Sequence, residues 1–395
     1  MSGKIRNDLI SVYKSGATPF PAAVMAGSYN LSLEPVIGKD ICMNSIFCQI
    51  ENDRGEWWLS SSEMEEVAKE VIEALSINPE LVDKAQKFFD LLSNELLLIL
   101  DKEKLEENLS EMDMVDIKIL FNQGVEIYQK TTYWPEPAEF SMEVKGHGMV
   151  WDRFLKFLKS KNLSFTQSEA SEMFVILSNS TKASFVMEAE LALLKIALLE
   201  DETEKDLEIA KFVKEFFWLE YDYYGPILDS AAIKEELVSF QSLGKKKVEK
   251  RIEEKEKFES EAEKKLEAVL AKTCLDEELS NIFLGMRKFA YFYGDLKKRA
   301  ISKANVGLGL ILKEVSKRYC IDETDLHYAE IEELNTIMSG MDFEEKILRK
   351  RRLKSVFQVS GGGYKFVDNL PEIEDSSTSH SGMLKGMSAC SGLYV

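Results

Sequence analysis

The sequence predicts a mainly α protein: a multi-helix body with a small N-terminal β element and a β-hairpin near residues 355–367. Three observations predict it. Apolar residues recur at steps of three and four over most of the chain after residue 62, the spacing of one helix face. Before the final residues Leu393-Tyr394-Val395, which read as the first half of a strand, strand-like text falls in two short stretches, "SIFCQIENDRGEWWLS" and "SVFQVSGGGYKFVD". No period of 20–50 residues repeats, which excludes a solenoid. The periodic segments together predict roughly 60% helix, well above the ordinary third.

The first stretch reads as two strands around a turn at Asp53-Arg54-Gly55. Ser60 to Ser62 followed by Glu63 offer an N-cap and an acidic first turn, and a helix follows through "EMEEVAKEVIEAL". Asn78-Pro79 starts another, with Leu81, Ala85, Phe88, Phe89 and Leu92 at helical spacing. In "TTYWPEPAEF", Pro135 and Pro137 preclude a regular helix, so Tyr133, Trp134 and Phe140 read as a packed loop rather than a ligand platform.

Farther on, Val186, Ala189, Leu193, Ile196 and Ala197 share a helix face, as do Ile209, Val213, Phe216 and Leu219. The second helix runs into the aromatic text "EFFWLEYDYYGPILD", where Phe216, Phe217, Trp218, Tyr221, Tyr223 and Tyr224 read as a helix–helix core with tyrosine hydroxyls at its rim. After Gly244 a mixed-charge segment with a thin stripe of Val248, Ile252, Leu266 and Val269 reads as a projecting helix or helical hairpin, solvated on most faces. Met286, Phe289, Tyr293, Leu296, Ala300, Ala304, Gly307, Ile311 and Val315 form one continuous buried seam. Gly307 and Gly309 weaken that helix, so close packing against a neighbour must compensate. "IDETDLHYAEIEELNTIM" then gives a turn and a short helix, and the glycines 361–363 turn the second hairpin. A phosphate loop there is disfavoured, because no Lys-Ser or Lys-Thr and no helix follows.

The predicted organisation is a β-containing element over 1–62, a helical body over 63–354, a hairpin over 355–368, a polar linker over 369–383 and a final segment over 384–395.

Charge and composition exclude several classes. Fifty basic against 69 acidic residues give a net charge of −19, which repels a phosphate backbone. The basic run Arg349-Lys350-Arg351-Arg352 is the local exception and reads as a solvated helix end. No apolar run is long enough to cross a bilayer and the N-terminus has no signal-peptide core, so the expected location is the cytoplasm. Cys42, Cys48, Cys274, Cys320 and Cys390 form no CxxC pair, and the three histidines have no metal-binding spacing. No metal site is expected.

The final stretch, "LKGMSACSGLYV", resembles the opening of the swivelling (mobile) phosphohistidine domain of phosphoenolpyruvate-utilising enzymes, the family of pyruvate phosphate dikinase and phosphoenolpyruvate synthase. Gly386, Ala389 and Gly392 match that opening, while Ser391 stands where the family usually has proline. Upstream, Asp325, Leu326, Tyr328, Glu333 and Leu334 match the short "DlxYlxxeEl" element that follows a long helix and precedes the swivelling domain. "ASFVMEAELALLKIAL" and "KEFFWLEYDYYGPILD" resemble the helical region of small bacterial members. These positions are structural rather than catalytic.

The resemblance implies a kinase- or dikinase-type phosphotransferase in which ATP, with Mg, phosphorylates a histidine in a "GGxxxH" stretch of the swivelling domain. No residue here matches that histidine. His380 precedes the opening strand in polar linker text, His327 reads as a partly exposed turn residue and His147 as a loop residue. Neither the family's nucleotide-binding domain nor its phosphoenolpyruvate-binding barrel is recognisable. The chain is therefore expected to supply the helical body, to stop just inside the first strand of the swivelling domain and to be inactive alone. Its expected partners are that domain, in its own or a separate chain, and a nucleotide-binding partner, with no nucleic acid and no membrane. The alternative is a non-enzymatic helical scaffold acting through Phe216–Tyr224 or the charged helix after Gly244.

Overall fold

The computed structural model describes residues 5–372 apart from 16–18, 31, 133–134, 163, 222 and 361–362. The protein is mainly α, and its described residues form one small antiparallel sheet. The linker beyond residue 372, His380, Cys390 and the matched Gly386, Ala389 and Gly392 lie outside the described residues.

Both strand-like stretches join that one sheet. Its strands are β1 (Leu9–Ser15), β2 (Ile46–Glu51), β3 (Arg54–Ser60), β4 (Lys354–Ser360) and β5 (Gly363–Val367), in the order β1-β3-β2-β4-β5. The N-terminal element and the late hairpin, read separately along the sequence, thus share the β2–β4 ladder, with Cys48 opposite Phe357. The turn between β2 and β3 falls at Asn52-Asp53, not at Asp53-Arg54-Gly55. Both residues take positive φ, 50° and 63°, the conformation a two-residue hairpin turn of matching twist needs. Strand alternation sends Ile46, Cys48, Ile50, Trp57, Leu59, Phe357 and Val359 into the main core. Leu9, Phe47 and Val356 pack together on the other face.

The helices begin where the caps predict. Ser60 accepts a hydrogen bond from the Glu63 amide and starts Ser61–Ile77. Leu81–Ile99 buries Ala85 and Phe89 but leaves Phe88 facing out. The proline stretch is helical after all: Pro135–Ser141, Met142–Gly146 and His147–Ser160 run on without a break, the middle turn being π-helical. Pro135 occupies the first helical position and Pro137 the first turn, where a missing N–H breaks no intrahelical bond. His147 is consequently a helix residue rather than a loop residue.

The predicted seam is a single helical run: Glu277–Tyr291, a π-helical turn Phe292–Lys297 and Lys298–Tyr319. Met286, Phe289, Tyr293, Ala300, Ala304, Ile311 and Val315 are all buried along it. Its glycines permit two close approaches. A Cβ on Gly307 would sit 2.5 Å from the Leu100 carbonyl oxygen, and one on Gly309 1.9 Å from the Tyr221 hydroxyl.

A second apolar cluster lies beside the main one. Phe185, Leu193, Phe212, Phe216, Trp218, Ile233 and Val248 belong to it, and Val306 of the long helix closes it. Tyr221 is buried in the same cluster, and burial raises its pKa. The charged helix Lys245–Thr273 buries Val248, Val269 and Thr273 and lies along its neighbours instead of projecting freely, tied by Lys195–Glu256 at 2.8 Å and Lys255–Glu190 at 2.5 Å. No described helix is long and apolar enough to cross a membrane.

Candidate functional site

The described members of the matched element, Asp325, Leu326, Tyr328, Glu333 and Leu334, come together at a junction between the helical body and the sheet. Local sequence builds it. The Asp322 carboxylate caps the short helix Glu323–Leu326 by accepting from the Asp325 amide. Glu330 and Glu333 form a capping box that starts Ile331–Met338. Leu326 and Leu334 are fully buried in the main core. The polar members face the basic run, which lies on the helix Lys346–Leu353 leading directly into β4.

The arginines of that run are engaged rather than simply solvated. Arg349 Nε donates to Asp325 Oδ2 at 2.9 Å. Arg351 grips Glu333 with both terminal nitrogens, at 2.5 and 3.0 Å, and donates to the Tyr328 carbonyl at 3.1 Å. Its guanidinium stacks 4.0 Å from the centre of the Phe366 ring on β5. Arg352 Nε meets both oxygens of Asp53 at the β2–β3 turn, at 2.9 and 3.0 Å. The buried Tyr328 hydroxyl donates to the same carboxylate at 2.5 Å. Burial and this bond to an anion raise the Tyr328 pKa. Tyr364 of β5 donates to the Ala329 carbonyl at 2.6 Å, and the Phe366 amide to Glu330 Oε1 at 2.8 Å. Residues 322–334 thereby hold the helix Lys346–Leu353 and strand β5 of the hairpin.

Between these groups lies an open cleft of about 420 Å³ lined by Asn52, Asp53, Asp322, Asp325, Arg349, Arg352 and Leu353. Three carboxylates against two guanidinium groups leave it one charge negative, so it does not suit a phosphate. Its lining has no histidine, cysteine, serine or lysine to act as a nucleophile or proton carrier.

His327, beside the element, is buried instead of partly exposed. Its ring packs 4.6 Å from Tyr224 and 6.5 Å from Phe20, and burial lowers its pKa to about 4. The imidazole is thus neutral and sealed in an aromatic wall. Burial also lowers the pKa of His147, whose ring meets Phe174 edge-on at 6.3 Å. Among the described residues, no group of three or more His, Cys, Asp or Glu side chains is placed to hold a metal ion.

Sequence reasoning missed Asp53 and the pairing of Arg349, Arg351 and Arg352. A signal was there: the acidic text "DETDLHYAEIEE" stands shortly before "RKRR", two opposite charge blocks that a short connection can fold together. No protein-family model matches this chain, and no curated protein matches it.

Proposed function

We propose that this chain is the helical docking body of a phosphoenolpyruvate-utilising-type phosphotransferase, working in the cytoplasm with a swivelling phosphohistidine domain. The reading rests on the sequence resemblance, and one structural observation supports it. The polar positions Asp325 and Glu333 of the matched element are tied to the helix Lys346–Leu353, which leads into the hairpin and on toward residues 384–395, and Tyr328 is tied to Asp53 at the β2–β3 turn. A domain that ferries a phosphoryl group on a tether needs a rigid anchor, because the tether's length and root fix its effective concentration at each station. Two arginine–carboxylate grips and a buried tyrosine supply that stiffness.

In this reading ATP and Mg act on the donor side, in a nucleotide-binding partner. The body contributes position rather than chemistry. The test is labelling with radioactive ATP or phosphoenolpyruvate, followed by acid treatment. The 395-residue chain is expected to take no acid-labile label. A chain continued through a swivelling domain, with a nucleotide-binding partner present, is expected to take it. Acid-labile label on the short chain that disappears with His380→Ala would place the chemistry in this chain. Label on neither, with the partner present, would favour the non-enzymatic scaffold.

A further inference from the structure

The outer face of the helix Leu81–Ile99 is apolar where it should be polar. Its inner face buries Val82, Ala85, Phe89 and Leu96. On the opposite side Phe88, Leu91 and Leu98 stand 45%, 67% and 66% exposed. At about 100° per residue these three share one stripe. Lys87 precedes Leu91 by the same number of residues as Glu95 follows it, and both are exposed. Neither has an ion-pair partner among the described residues.

We infer that this face pairs with the same face of a second copy, the two Leu81–Ile99 helices packing antiparallel about a two-fold axis at Leu91. The charge pattern selects that occupant. Reversing the helix about Leu91 brings Lys87 of each copy level with Glu95 of the other, so one symmetric contact forms the ion pair twice. It also places the Lys84 stem over Leu98 of the opposite copy. A parallel pairing in register would instead set lysine beside lysine and glutamate beside glutamate. The unpaired charges and the exposed stripe are then two aspects of one self-complementary surface.

Sedimentation equilibrium of the full chain tests the inference. The wild type is expected to dimerise in the micromolar range. Leu91→Glu, at an exposed position, is expected to raise the dissociation constant about a hundredfold, since two-fold symmetry doubles every change. Lys87→Glu and Glu95→Lys are each expected to raise it about tenfold, and the two together to restore it. Leu91→Cys places the two thiols at the axis and is expected to give a covalent dimer on mild oxidation. Circular dichroism checks that each variant keeps its fold. A monomer throughout the micromolar range would overturn the inference. So would a dimer indifferent to Leu91→Glu, or charge reversals that fail to compensate each other, either of which would mean another occupant or another face.

Discussion

Burial keeps the His327 imidazole neutral, and the consequence is a pH dependence that can be measured. Its pKa falls from the ordinary 6.5 to about 4 in the folded protein, with desolvation as the cause. Below pH 6.5 the unfolded chain binds a proton that the folded chain refuses, so this residue's contribution to stability declines as the pH drops and is fully lost near pH 4. The loss amounts to on the order of 3 kcal/mol. Melting temperatures taken between pH 7 and 4 are expected to fall more steeply for the wild type than for His327→Leu, which has no proton to bind. An imidazole resonance that titrates near pH 6.5, identified by its absence in that variant, would show the ring to be exposed. The sequence could not announce this burial. His327 sits in charged text, and the rings that enclose it, Phe20 and Tyr224, come from far along the chain. The N-cap at Ser60 was legible because a cap involves neighbours only.

At the scale of elements, the two glycines of the long helix break the same substitution rule for different reasons. Alanine in place of glycine within an exposed helix would stabilise it by up to about 1 kcal/mol. At Gly307 the new methyl would meet the Leu100 backbone, which cannot rotate away. Gly307→Ala is therefore expected to destabilise the protein by about 1–3 kcal/mol, measured by urea unfolding. At Gly309 the obstacle is one hydroxyl, that of Tyr221. Gly309→Ala is expected to destabilise, and adding Tyr221→Phe to recover part of the loss, whereas the same Phe substitution should not rescue Gly307→Ala. Equal rescue of both would mean that the helix approaches its neighbours differently. The need for close packing at these glycines followed from helix propensity alone; which neighbours approach them did not. The same limit explains the sheet. Period-two text identified β2 and the late hairpin as strands, but their pairing across some 300 residues is a tertiary fact. β1 escaped notice because its partner β3, some 45 residues on, is needed to recognise it. The proline stretch was misread for another reason: proline excludes a helix interior but suits a first turn, and the choice depends on where the helix starts.

Across the whole molecule, the long helix is a spine shared by two apolar clusters. Ala304, Leu308 and Ile311 face the main core, whereas Val306 faces the cluster built from residues 185–248. Polar contacts join the same two regions: Asp295 accepts from the Phe185 amide, and Arg299 bridges Asp295 and Glu188 at 2.8 and 2.6 Å. Two substitutions five residues apart should therefore differ in reach. Ile311→Asp puts an unpaired carboxylate into the main core, at a cost of several kcal/mol, on the order of half the stability of a typical domain. It is expected to lower the melting temperature sharply and to speed amide exchange everywhere, the β2–β4 ladder included. Val306→Asp imposes the same charge on the smaller cluster. Since local opening is governed by the contacts a region itself holds, exchange should quicken first in the helices Phe185–Ala197, Glu202–Phe216 and Ser230–Ser242, while the sheet keeps its protection. If both variants loosened the sheet equally, the two clusters would be one cooperative core, and the helix would serve as its centre rather than as the boundary between two.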